Sequence, residues 1–326
     1  MKWAIASAIA VIAVTAVFGQ PAPPTSHEYA NVNGQRLHYA KAGSGPLIVF
    51  LHGFPEFWYE WKHQIAEFSR DRTVVAPDMR GYNLSSKPAE LSAYQMPNLV
   101  EDVRALAGEL MKSTGGTKFT LVAHDWGGVV AWVFAALNPE MLDKLVIVNA
   151  PHPTIFGTLL GKDPAQQKAS AYMLMFRSPD AEATLSANSY EWLTSAVLGD
   201  GIKAGTVTEA DKKAYVEAWS QPGALTGGLN YYRAAGVGPA AAAAATAAAE
   251  APTAAAAAAP PSLVVRVPTL VIWGEQDTAL LPSNLEGLDR LVPTLTVRRI
   301  PDGTHWVVRE KAADVNRMIR EFLAPN

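Results

Sequence analysis

Apolar residues fall in short unbroken runs along much of the chain: PLIVFL (46–51), TVVAP (73–77), FTLVA (119–123), KLVIVNA (144–150) and PTLVIW (268–273). None shows the apolar/polar alternation of a half-exposed strand, so each predicts a strand covered on both faces. Between them lie helix-length segments such as NLVEDVRALAGELM (98–111) and VVAWVFAALNP (129–139). Strands alternating with helices predict a mainly parallel sheet with right-handed crossovers, flanked by helices. Ahead of the first run, EYANVNGQRLHYAKAGSG (28–45) holds two β-like stretches about Asn33-Gly34, a pair suited to a tight hairpin turn. The run at 144–150 is then the sixth core strand.

After Pro151 the alternation stops, and to about Ser262 the chain becomes helical and aromatic before PTLVIW resumes the sheet pattern. This predicts one α/β core (27–150 and 263–326) with a helical cap (151–238) inserted after the sixth strand, over the strand ends where open sheets bind ligands. An alanine- and proline-rich link (239–262) returns from the cap. Short helices on either side of Pro252 and a disordered link are both compatible with its composition.

Composition narrows the function classes. With 326 residues, 49% hydrophobic, and a formal net charge of -3, the chain is globular and has no basic field for nucleic acid. It contains no cysteine, which removes disulfides, thiolate metal sites and thiol catalysis. Its seven histidines lack the HExxH spacing of a helix-borne zinc site, so such a site has no support. The N-terminus, MKWAIASAIAVIAVTAVFGQ (1–20), reads as a signal peptide cleaved near Gly19 and Gln20. Export to the periplasm or medium is therefore expected, without stable membrane association, whereas an uncleaved segment would be a membrane anchor. Self-association into a homo-oligomer is left open.

The chemistry concentrates at corners. In VAHDWGG (122–128), Asp125 stands between a strand-like and a helix-like run, with small residues at Ala123 and Gly127. An aspartate there reads either as a helix N-cap or as the central residue of a nucleophile elbow, whose small neighbours let one side chain project from the sheet. LHGFP follows another strand run and could aim the backbone N–H of Phe54, with that of Trp126, at an oxyanion. WGEQDTAL places Asp277 after a strand, and PDGTHW places His305 in a loop before the last helix. A loop Asp or His is commonly a solvated turn residue. In the order Asp125, Asp277, His305, however, they follow the nucleophile, acid and base order of the α/β-hydrolase fold.

Together HGFPEFWYEW, DMRGYNLSSKP, VAHDWGG, NAPHP, NYYRA and DGTHW resemble the epoxide hydrolases of the α/β-hydrolase superfamily, relatives of the haloalkane dehalogenases. The resemblance spans about Glu28 to Leu323 and omits the alanine-rich link. It implies hydrolysis of an epoxide by water to a vicinal diol through an ester on Asp125, with no metal or organic cofactor, and the aromatic run FWYEW (57–61) with Trp126 and Phe176 makes a small, neutral, hydrophobic epoxide the best fit. A carboxylate attacking saturated carbon yields an ordinary ester, which water can later cleave. By motif position, two cap tyrosines, Tyr172 and Tyr232, would donate to the epoxide oxygen. Tyr231 is the neighbouring rival, although adjacent helical residues point about 100° apart. His52, Pro55, Trp58, Trp126, Phe176 and Tyr231 are the expected substrate-binding residues. Haloalkane dehalogenation with the same machinery is the nearest alternative, and a non-catalytic ligand-binding homologue is a third. Fluoroacetate-type dehalogenases carry arginine after the nucleophile, where Trp126 stands here.

Overall fold

The computed structural model describes residues 24–239 and 263–325. The proposed signal segment and all but the first residue of the alanine-rich link lie outside them. Eight strands, β1 (Ser26–Val32), β2 (Gln35–Ala42), β3 (Leu47–Leu51), β4 (Thr73–Pro77), β5 (Phe119–His124), β6 (Leu142–Val148), β7 (Thr269–Gly274) and β8 (Leu295–Ile300), form one sheet in the order β1-β2-β4-β3-β5-β6-β7-β8. From β4 to β8 every pairing is parallel, and β2 joins β4 antiparallel. The hairpin forms as expected. Val32 pairs with Gln35, and Asn33 and Gly34 take φ of 51° and 70°, the left-handed geometry that matches the twist of the two strands.

All five unbroken apolar runs are strands, and β3 shows why they carry no polar alternation. Ile48 and Phe50 pack into one hydrophobic cluster while Val49 and Leu51 pack into the other, on the opposite face. One face is covered by α1 (Lys62–Phe68) and by α11 (Val307–Glu310) and α12 (Ala312–Leu323) near the C-terminus, and the other by α2 (Met96–Thr114) and α3 (Asp125–Leu137). Side chains as large as Trp61 and Trp132 are fully buried here, each stabilising the fold by about 3 kcal/mol.

Between β6 and β7 the chain leaves the sheet for seven helices among the described residues: α4 (Pro153–Lys162), α5 (Pro164–Ala169), α6 (Tyr172–Arg177), α7 (Ala181–Leu193), α8 (Gly199–Lys203), α9 (Glu209–Trp219) and α10 (Ala224–Ala235). They close over the C-terminal ends of β3, β5 and β7. None of the described helices is long and apolar enough to cross a membrane.

Candidate active site

Asp125 opens α3 directly from the end of β5 and holds φ at +46°, a left-handed value that costs energy in a residue other than glycine. The turn can be this sharp only because its neighbours are small. A Cβ on Gly127 would lie 2.5 Å from the carbonyl oxygens of Leu51 and His52, and one on Gly53 would lie 2.3 Å from Asp125 Oδ1. The N-cap alternative fails on position and on bonding. His124 occupies the cap, and the Asp125 carboxylate turns away from its own helix to accept the Phe54 N–H at 2.8 Å through Oδ1.

Its other oxygen, Oδ2, lies 3.7 Å from His305 Nε2. On the far side of that ring, Nδ1 meets Asp277 Oδ2 at 2.7 Å. Asp277, 3% exposed, is fully engaged: Oδ1 accepts the N–H groups of Ala279 and Leu280, and Oδ2 also accepts from Asn149 Nδ2 at 2.8 Å. Burial by itself would raise Asp277, but His305 and these donors hold it below the ordinary carboxylate value. Burial likewise opposes charge on His305. The Asp277 carboxylate and its hydrogen bond, then Asp125 and Glu60, overcome this and raise the imidazole to about 9. The ring thus lies between the Asp125 and Asp277 side chains, whose charges favour its protonated form.

Above Asp125 the cap contributes two phenols. Tyr172 and Tyr232 sit with ring centroids 6.5 Å apart, and both line the same two cavities as Asp125. The cavities enclose about 430 Å³ and about 280 Å³. Burial and then the Asp125 charge push both phenols well above 10, so they remain protonated donors at neutral pH. The larger cavity is walled by apolar side chains such as Val129, Val133, Phe156, Leu160 and Met173, and among the described residues no Lys or Arg lines either one.

Trp126 lines the larger cavity, while Phe54, Pro55 and Phe176 line the smaller, where His305 also stands. Contrary to expectation, His52, Trp58 and Tyr231 line neither cavity. His52 is fully buried; its Nδ1 lies 2.8 Å from the Gly53 carbonyl and its Nε2 accepts the Met79 N–H, so it pins the loop that presents Phe54. Trp58 packs outward on His27 and Tyr59, its backbone N–H donating to Asp78. Tyr231, on α10, points away from Tyr232 and donates its hydroxyl to the Arg80 carbonyl at 2.9 Å.

One buried pair beside the site has no place in the sequence reading. His124 Nδ1 lies 2.5 Å from Glu60 Oε1, and His124 Nε2 lies 2.9 Å from the carbonyl oxygen of His305. Burial pushes Glu60 up to about 8 and His124 down to about 4, with His305 nearby adding to the latter. Both residues fall inside HGFPEFWYEW and VAHDWGG, but their partnership spans 64 positions and leaves no local signal. Asn149 is similar: it sits in NAPHP with φ of 37° and ties Asp277 to β7 through the Gly274 N–H.

The family described as the alpha/beta hydrolase fold matches residues 46–312. The AB hydrolase superfamily protein YfhM of Bacillus subtilis is 39% identical over 300 residues, covering 91% of this chain and 97% of that protein. Epoxide hydrolase 4 of Mus musculus is 35% identical over 310 residues, covering 91% and 79%. The crystal structure of Bacillus megaterium epoxide hydrolase in complex with an inhibitor superimposes with a TM-score of 0.80 at 37% identity, covering 91% of this chain and 99% of that one. The chain belongs to the α/β-hydrolase fold family. It is an enzyme of that family, standing among relatives named as epoxide hydrolases.

Proposed function

We propose that the protein hydrolyses a neutral, hydrophobic epoxide to a vicinal diol through an ester on Asp125. The observation that carries this reading is the confrontation of a corner carboxylate with two protonated phenols across one apolar cavity. Asp125 Oδ2 attacks a ring carbon and the C–O bond breaks. The departing oxygen stays attached as an alkoxide and takes hydrogen bonds, then a proton, from Tyr172 and Tyr232. A halide leaves as a stable free anion and needs no proton, whereas an alkoxide does.

In the second step His305 removes a proton from water, with Asp277 steadying the imidazolium that forms. Hydroxide adds to Cγ of Asp125, and charge gathers on Oδ1, where the Phe54 N–H already points. Trp126 supplies the second amide. Such donors contribute about 3 kcal/mol each to a tetrahedral intermediate. Collapse expels the diol oxygen, which takes the proton held on His305, and the new Asp125 carboxyl group returns its proton to the cap phenolate, restoring the carboxylate and the phenol. Forming the ester itself prepares this step, because it removes the Asp125 charge that helps raise His305 and so returns the imidazole toward the form that accepts a proton.

Diol formation from a panel of neutral epoxides, followed by one turnover in heavy-oxygen water, tests the scheme. The first diol should carry oxygen from the protein, with solvent label entering Asp125. Full solvent label in the first diol, or halide release from bromoalkanes with no diol from any epoxide, overturns it. Replacing His305 with glutamine should halt the cycle as a covalent adduct on Asp125, seen by intact mass. Export belongs to the same proposal, and N-terminal sequencing of the mature protein tests it.

A further inference from the structure

Arg309 follows His305 by four residues, on the short helix α11. Its side chain is largely covered, 9% exposed, and makes contacts on three sides. Nη1 pairs with Glu56, two residues beyond Phe54 on the loop after β3, and reaches the Tyr215 hydroxyl of α9 at 3.3 Å. Nη2 donates to the carbonyl oxygen of Val197, in a π-helical turn (Thr194–Leu198) between α7 and α8. Tyr215 closes the arrangement by donating to Glu56 at 2.5 Å. Trp306, stacked under the guanidinium at 4.8 Å, donates its indole N–H to the neighbouring carbonyl of Ala196 at 3.1 Å. Ala196 and Val197 form part of the wall of the smaller cavity.

A fork with five donors suits this position because it can hold a carboxylate on the core and a carbonyl on the cap at once. The segment it holds is irregular. Before the π-helical turn, Asn188, Ser189 and Tyr190 take φ of 48°, 57° and 65°, three consecutive left-handed residues other than glycine. Such a segment keeps its shape only when its surroundings over-determine it.

We infer that Arg309 is a positioning residue for the proposed reaction: by tying Glu56 of the core to Val197 and Tyr215 of the cap, it sets the height of the cap phenols over Asp125. It touches no reacting atom. The inference rests on the proposed two-step chemistry and separates its steps. Asp125, Asp277, His305 and the Phe54 amide all belong to the core, so ester hydrolysis needs no cap registry, whereas ring opening needs Tyr172 and Tyr232 in place.

The experiment is rapid-mixing kinetics on the full chain with a reactive aryl epoxide, resolving ester formation from ester hydrolysis and normalised to active sites by burst amplitude. Arg309→Lys keeps the charge but cannot span Glu56 and Val197 together; Tyr215→Phe removes the cap hydroxyl from the same cluster with little risk to folding. Ester formation should slow about tenfold or more in Arg309→Lys and several-fold in Tyr215→Phe, with hydrolysis within about twofold of the parent. Equal slowing of both steps, or unchanged rates in Tyr215→Phe and in any folded Arg309→Lys, overturns the inference. A parent protein that forms no ester at all would instead sink the two-step reading itself.

Discussion

At the scale of single residues the site works through neighbouring charges. His305 has a folded-state value of about 9, above the ordinary 6.5. The sign follows: its ion pairs stabilise the fold fully below about pH 6.5, and that contribution disappears as pH rises through about 9. Replacing Asp125 with asparagine, a neutral stand-in for the ester, should lower the His305 titration below 9, followed by NMR of the imidazole carbon-bound protons; an unchanged midpoint would mean that Asp125 does not set it. Asp277→Asn should slow ester hydrolysis by about 10² to 10⁴. Tyr172→Phe and Tyr232→Phe should each slow ring opening by about 10² while leaving hydrolysis of a preformed ester intact. Asp125, Asp277 and His305 were legible in the sequence because each sits in a short motif at a strand end. The orientations of His52, Trp58 and Tyr231 are not legible there for the converse reason: a motif places a backbone near the site but does not say which way a side chain turns. Tyr231 and Tyr232 are adjacent in the same helix, and only packing against Arg80 and Phe54 separates the two roles.

At the scale of elements, the turn between β5 and α3 sets the tolerance of the whole arrangement. Gly127→Ala would drive a methyl group into the carbonyls of Leu51 and His52, backbone oxygens of β3 and the loop it feeds. Overpacking there should cost about 2 kcal/mol, read as a lower denaturant midpoint at unchanged slope. The apolar runs announced β3 to β7 because both faces of those strands are covered. The last strand was not announced. In β8, Leu295–Ile300, only Ile300 is buried, and Arg298 and Arg299 are exposed on the sheet edge. Edge strands are kept polar against unwanted pairing, and that protection removes the apolar signature by which a strand is read.

At the scale of the whole molecule, core and cap are joined along one seam. Residues 55–62 of the core face α9: Pro55 O accepts the Trp219 indole N–H at 2.6 Å, Glu56 binds Tyr215, and Asp211 takes both the Tyr59 hydroxyl and Lys62. Burial would raise Asp211, but Lys62, the Thr208 amide and Tyr59 hold it far below 3.8. Its stabilisation is therefore present above pH 3.8 and lost as pH falls further. Asp211→Asn should lower the urea midpoint at neutral pH, and the gap from the parent should shrink steadily in acid; a constant gap would show that the charge is not what matters. No pattern in the sequence foretold this seam, because each bond in it joins positions some 150 apart. The place where the helices enter the fold, between β6 and β7, carries one more consequence. The parts that would recognise an epoxide and the parts that would discharge the bound product occupy separable stretches of chain. A chimera with a foreign insertion at that junction could inherit the second competence intact while acquiring a new substrate range.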